Sequence, residues 1–367
     1  MTGFAVCNPT VFCRRARPSL ACCGRNVRVN PKRAQGFIEN PGKRAKLGPM
    51  KKVLIFGGTG FVGSQVCEKL IQLQCRVTVA TRRSASARHL QLLPLVDVAQ
   101  IDLHDGAALA ALVAGHDAVV NLIAILHGSE DAFQKAHVQW PLTLVRACKA
   151  AGVRRLVHIS ALGAALDSAS MYQRSKARGE AALLGSGLDV TVLRPSVIFG
   201  AGDKFLNTFA SLQQVFPVIP LAGSNARFQP VWVGDVADAV VRCLQDSETM
   251  GQVYEACGPD VFTLRQLVQL AGGYAGIGQG QGRPVIGLPN ALARVQAFFM
   301  ELAPGDPVLS RDNLDAMKTD NVASGKLPGL QALGITPASL EAIGPTYLGA
   351  RGLRSGLMAK RKTSGRF

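Results

Sequence analysis

No apolar run in this sequence approaches the roughly 18 residues that a membrane-spanning helix needs. The most hydrophobic stretches, such as Ala118–Leu126, are only strand-sized. A chain built around a bilayer-crossing helix is therefore not expected. Metal-ligand spacing is missing too. Of nine cysteines, Cys22 and Cys23 are adjacent, no Cys-x-x-Cys occurs, and Cys67, Cys75, Cys148, Cys243 and Cys257 lie scattered among apolar residues. They read as reduced core thiols rather than disulfides or a zinc site, and no metal is expected. Acid is almost absent from both ends. Residues 1–50 hold ten Lys/Arg against Glu39 alone, and residues 351–367 hold six Lys/Arg and no acid. The 300 residues between them carry 25 basic and 23 acidic side chains. The net charge of +17 thus belongs to two tails on a nearly neutral body. A specific nucleic-acid-binding face is not expected, although the tails could touch RNA or anionic lipid non-specifically.

What is present suits a soluble α/β protein: 48% apolar residues, 18% charged residues and 39 glycines. Residues 1–49 combine Arg14, Arg15, Arg17, Arg25 and Arg28 with no sustained apolar periodicity. They read as a disordered basic extension, without the apolar core of a secretory signal. Such a leader fits an organelle transit peptide, and equally a stretch upstream of a true start at Met50. From there the chain divides into a dinucleotide-binding domain over 50–200, a partly interleaved C-terminal lobe over 201–345, and a basic tail over 346–367.

The body opens with Val53-Leu54-Ile55-Phe56, wholly apolar as a central parallel strand should be. Gly57-Gly58-Thr59-Gly60-Phe61-Val62-Gly63 follows, and then an amphipathic helix with Val66, Leu70 and Leu73 on one face. In Gly-x-x-Gly-x-x-Gly, Gly57 permits a tight turn, Gly60 lets backbone approach a pyrophosphate, and Gly63 lets the helix pack on the strand. The phosphates then meet free N–H groups and the positive end of the helix dipole. A second strand, Arg76–Ala80, runs into Thr81-Arg82-Arg83-Ser84. Folds that take NAD usually place Asp or Glu there for the ribose hydroxyls. Two arginines instead match a 2′-phosphate, so NADP(H) is expected in preference to NAD(H).

Strands then alternate with helices. Val98–Ile101 ends at Asp102-Leu103, placed for the adenine edge. Ala118–Ile125 carries Asn121 near its end, and Leu156–Ile159 and Val190–Leu193 follow helices at Leu142–Ala151 and from about Lys176 to Leu184. The period predicts a Rossmann-type, doubly wound parallel sheet. Ser160 follows the Leu156–Ile159 strand, and twelve residues later Tyr172 and Lys176 stand at i and i+4 on one helix face. A nearby ammonium would lower the tyrosine pKa toward neutrality, making Tyr172 a proton carrier for an oxygen held by Ser160.

With the glycine loop, Ser160, Tyr172 and Lys176 resemble the short-chain dehydrogenase/reductase superfamily in its extended or atypical branches, over roughly residues 51–345. The resemblance implies that Tyr172 and Lys176 also contact the cofactor, with Pro195 beside them. Arg194-Pro195-Ser196-Val197-Ile198-Phe199-Gly200 stands where sugar-nucleotide epimerases carry Arg-x-x-Asn-Val-Tyr-Gly, and Val197 cannot donate to a substrate diphosphate.

Other stretches resemble the NADPH-binding accessory subunits of respiratory complex I and their bacterial relatives. These are His89-Leu90, Gly202–Asn207, Phe228–Ala237, Arg283–Pro289 and Ser310-Arg311-Asp312-Asn313-Leu314. This implies a tightly held NADP(H) with a structural, assembly or quinone-linked role. It implies a partner in complex I or the inner-membrane surface, on the matrix side if organellar and cytoplasmic if bacterial. The alternative is an active reductase or epimerase/dehydratase on a small apolar or quinone-like substrate, working through Ser160, Tyr172 and Lys176. Asn290–Leu302 reads as a helix with Leu292, Val295, Phe299 and Leu302 along one side, widened by Phe298 and Met300. So wide a stripe reads as core, with a partner helix or membrane interface as the alternative.

Overall fold

The computed structural model describes residues 50–302 and 307–349, which lie in one compact unit. The expectations for residues 1–49 and for the tail beyond residue 349 lie outside the described residues. Seven strands form one parallel sheet: β1 (Lys52–Phe56), β2 (Arg76–Thr81), β3 (Val96–Gln100), β4 (Ala118–Asn121), β5 (Arg155–Ile159), β6 (Asp189–Pro195) and β7 (Val253–Ala256). Their order across the sheet is β7-β6-β5-β4-β1-β2-β3. The direction of winding reverses between β1 and β4. In open parallel sheets, ligands bind beyond the carboxyl ends of the strands at such a switch point.

The longer helices are α1 (Phe61–Gln72), α2 (Gly106–Val113), α3 (Trp140–Ala151), α4 (Met171–Leu184), α5 (Leu206–Val215), α6 (Val233–Gln245), α7 (Leu264–Tyr274), α8 (Asn290–Leu302), α9 (Arg311–Ala316) and α10 (Leu340–Leu348). Because side chains alternate along a strand, β1 feeds both faces. Val53 and Ile55 join Val66 and Leu70 of α1 and Val236 and Val240 of α6 in one core. Leu54 and Phe56 join Leu109 of α2, Leu144 of α3 and Leu183 of α4 in a second. Each such fully buried side chain contributes about 1.5–3 kcal/mol. A third core, with Leu206, Leu267, Val268 and Leu340, holds α5, α7 and α10 together. Elements beyond residue 200 return to the layers built by residues 50–200. α6 packs on α1 through the first core, and β7 completes one edge of the sheet.

Three expectations change. The strand read over Ala118–Ile125 ends at Asn121, and the strand read from Val98 starts at Val96. The stripe on α8 is not core. Only Ala293 and Ala297 are buried, whereas Leu292, Val295, Phe298, Phe299 and Leu302 stand exposed.

Candidate functional site

The glycine loop sits at the switch point. Gly57 has φ +81°, a conformation that glycine adopts without a Cβ penalty. Gly63 packs so closely on Gly57 and Gly58 that a Cβ there would overlap their backbone. Gly60 precedes α1 and offers no side chain to cap it, so the first-turn amides of Phe61, Val62 and Gly63 have no partner within the helix. That is the donor set an anion uses at a helix N-terminus. The cradle would be filled by any larger side chain, and the residues present fit a dinucleotide pyrophosphate. At the end of β2, Thr81 Oγ1 donates to Arg83 O at 3.1 Å and turns the chain outward. Arg82 and Arg83 are exposed, and neither has a carboxylate partner among the described residues.

At the end of β3, Asp102 spends one carboxylate oxygen on the amide of His104 (3.0 Å), and Leu103 packs partly into the second core. Asn121 is the last residue of β4. It is fully buried, its Oδ1 accepts from Trp140 Nε1 (3.0 Å) and Ile123 N (3.2 Å), and its amide nitrogen donates to His158 Nδ1 (3.1 Å). One of its two amide hydrogens and both acceptor positions of Oδ1 are thus engaged within the protein. Pro195 O, at the end of β6, accepts from Leu162 N at 2.8 Å.

Lys176 is buried and donates to Ile159 O at 2.8 Å, which brings its ammonium beside the backbone of Ser160. Burial lowers its pKa to about 8, opposed by the Glu180 carboxylate. Glu180 in turn takes a bidentate contact from Arg194 (2.6 and 3.0 Å), tying α4 to β6. Ser160 is buried, and its Oγ has no hydrogen-bond partner among the described residues. Tyr172 does not behave as the spacing suggests. Burial, and then the nearby Asp312 carboxylate, push its pKa up to about 12. The Lys176 ammonium gives one of its three donors to the Ile159 carbonyl.

The surroundings of Tyr172 include residues that no motif flagged. Asp312 accepts from Ser170 Oγ (2.8 Å), Met171 N (2.5 Å) and Tyr172 N (3.1 Å), capping α4 from 140 residues away. His137 lies in a π-helical turn, Lys135–Gln139, and meets the Tyr172 ring edge-on at 5.5 Å. Its Nε2 accepts from Ile125 N (3.1 Å), so Nδ1 carries the proton and donates to Ser175 Oγ (2.8 Å). Burial, reinforced by Lys176, lowers the pKa of His137 to about 3 and keeps it neutral. A residue 35 positions before Tyr172 leaves no trace in local spacing. Asp312 was visible only inside one of the resembling stretches.

A profile of the NAD dependent epimerase/dehydratase family matches residues 53–257, which run from β1 through β7 and hold both the cradle and the Tyr172–Lys176 helix. The chain belongs to that family. Among curated relatives of this epimerase/dehydratase-family chain, the mitochondrial NADH dehydrogenase (ubiquinone) 1 alpha subcomplex subunit 9 of Arabidopsis thaliana is 32% identical over 304 residues, covering 78% of this chain and 74% of that protein. The protein of the same name from Mus musculus is 31% identical over 299 residues, covering 78% and 77%. A solved NADPH-dependent quinone oxidoreductase from Escherichia coli, complexed with NADPH, superposes with a TM-score of 0.65 at 23% identity, covering 80% of this chain and 98% of that one. That likeness is one of fold. No helix among the described residues is long and apolar enough to cross a membrane.

Proposed function

We propose that this epimerase/dehydratase-family chain holds NADP(H) in preference to NAD(H) and serves respiratory complex I as an accessory or assembly subunit. In an organelle that places it on the matrix side of the inner membrane. The observation that carries the cofactor preference is the end of β2, where two exposed arginines, without a carboxylate partner among the described residues, replace the acidic residue that would repel a 2′-phosphate. Gly57, Gly58, Thr59, Gly60, Phe61, Val62 and Gly63 form the pyrophosphate cradle. Arg82 and Arg83 take the 2′-phosphate, Asp102 and Leu103 border the adenine, and Tyr172, Lys176 and Pro195 stand at the nicotinamide end. The complex I role rests on the two subunit 9 proteins, each aligned over 78% of this chain.

One observation favours a second reading. The buried Ser160 hydroxyl, without a partner among the described residues, is what an active reductase or epimerase would aim at a substrate oxygen. Mass spectrometry of nucleotide released on denaturation, titration with NADPH and NADH, and native electrophoresis of membranes test these readings. Expected are bound NADP(H), tighter NADPH than NADH, co-migration with a large membrane complex, and an Arg82→Ala variant about tenfold weaker for NADPH alone. Tighter NADH binding, with NADPH affinity unmoved by Arg82→Ala, would refute the preference. NADPH-dependent carbonyl reduction abolished by Tyr172→Phe would establish the second reading.

A further inference from the structure

Beyond the regular ends of β5, β6 and β7 the main chain goes on pairing. Ser160 N donates to Leu193 O (2.7 Å), Leu162 N to Pro195 O (2.8 Å) and Ser196 N to Ala256 O (3.0 Å). The loop after β5, which carries Ser160, therefore runs beside the end of β6, which carries Pro195. Leu162 and Ser196, the last residues of these two stretches to pair, are both buried.

A residue from far along the chain reaches both stretches. Asn321 lies 125 residues beyond Ser196 and 159 beyond Leu162. Its Oδ1 accepts from Ser196 Oγ at 2.6 Å, and its Nδ2 donates to Leu162 O at 3.4 Å. One amide group thus brackets the loop after β5 to the end of β6. The bracket stands on a fixed base. Asn321 N donates to Arg227 O (2.8 Å), and Asn321 O accepts from Gln229 N (2.9 Å). The Gln229 side chain adds a bond from Ala323 N (2.9 Å) and one to Gly258 O (2.8 Å). Earlier on the same stretch, Asp312 takes the amides of Met171 and Tyr172, so the C-terminal lobe meets this end of the site twice.

We propose that Asn321 is a positioning residue for the nicotinamide end: it sets the spacing between the loop that carries Ser160 and the end of β6 that carries Pro195. This rests on the NADP(H) reading above and adds to that site a residue outside the stretch 53–257 that the family profile covers. A flat ring is held well only when the groups around it keep their places to within about 0.5 Å. Segments past a strand end lack the full ladder that would do this, and the Asn321 amide supplies the missing tie. It acts through Leu162 and Ser196. The adenosine half of the dinucleotide belongs to the other side of the switch point, at the ends of β1, β2 and β3, and does not depend on the bracket.

Two probes test the inference: NADPH, and adenosine 2′,5′-bisphosphate, which ends short of the nicotinamide. The full chain is titrated with each by calorimetry, and the fluorescence of saturating NADPH is recorded. Asn321→Ala should bind NADPH about fivefold more weakly, the ratio of one lost hydrogen bond, and adenosine 2′,5′-bisphosphate within about twofold of wild type. Bound NADPH should also lose part of the emission it gains when its ring is held away from water. Ser196→Ala deletes one hydroxyl and keeps the main-chain pairing. It should show a smaller loss with the same selectivity, and the effects of the two substitutions should not multiply in the double variant. If Asn321→Ala does not fold, Ser196→Ala carries the same comparison by itself. Losses shared by both probes, or absent from both, would show Asn321 to be a contact of the fold only. In that case a selective loss of NADPH in Arg82→Ala would leave the NADP(H) reading standing. Wild-type protein that binds neither probe would remove both.

Discussion

His137 shows how a single side chain can set acid sensitivity. It is buried, hydrogen-bonded as a neutral ring on both nitrogens, and its pKa falls to about 3 from an ordinary value of 6.5. A depressed histidine means that the unfolded chain binds the extra proton. The stability His137 contributes is complete above pH 6.5 and is lost as pH falls toward 3. Between those limits one such group costs about 1.4 kcal/mol per pH unit. Urea unfolding at pH 7.5, 6 and 5 should show a declining midpoint, and His137→Gln should flatten the decline by one proton's worth while costing stability at pH 7.5. An unchanged slope in the variant would place the acid sensitivity elsewhere, at His116 or His158, whose pKa values burial also lowers. At this scale the sequence was informative where chemistry is local. Gly57 and Gly63 announced their roles through spacing, because a turn and a close helix contact are settled within seven residues. Tyr172 did not. Its proton affinity depends on burial and on Asp312, and neither lies within reach of a four-residue motif.

At the scale of elements, α4 is held at its start by a group from the far end of the chain. Ser170 caps it in the ordinary way through Gln173 N at 3.3 Å, and Asp312 adds contacts to Ser170 Oγ, Met171 N and Tyr172 N. A carboxylate at a helix N-terminus satisfies free amides and opposes the dipole. Asp312→Ala should destabilise the protein by about 1–2 kcal/mol in urea unfolding. It should also lower the pKa of Tyr172, without returning it to an ordinary value, since burial is the larger cause. NMR of ring-labelled tyrosine reads the second effect, and a Tyr172 titration unmoved by the substitution would contradict it. Element ends were the least legible feature. Apolar Leu122, Ile123 and Ile125 prolong the β4 pattern in sequence. In the fold, the chain turns at Asn121, whose side chain takes the amide of Ile123 while His137 takes that of Ile125. Periodicity cannot see such competing acceptors.

For the whole molecule, charge and architecture separate. The body is nearly neutral, and the basic residues concentrate in segments 1–50 and 351–367. Retention on heparin or RNA should therefore fall to background when residues 1–49 and 351–367 are deleted, with NADPH affinity unchanged within about twofold. Retention that survives the deletion would point to a basic face on the body. The doubly wound order was legible because alternating strands and helices leave few ways to bury both faces of a sheet. β7 was not, since Val253–Ala256 is four residues long and returns to the sheet after the chain has passed through α5 in the third core. That return has a consequence for how the protein is made. A ribosome delivers the glycine loop early, yet the strand that closes the sheet edge emerges nearly 200 residues later, and Asp312 later still. The β6 margin stays open while the stretch from Pro195 to Val253 is made, and the start of α4 waits longer, until Asp312 arrives to take the amides of Met171 and Tyr172.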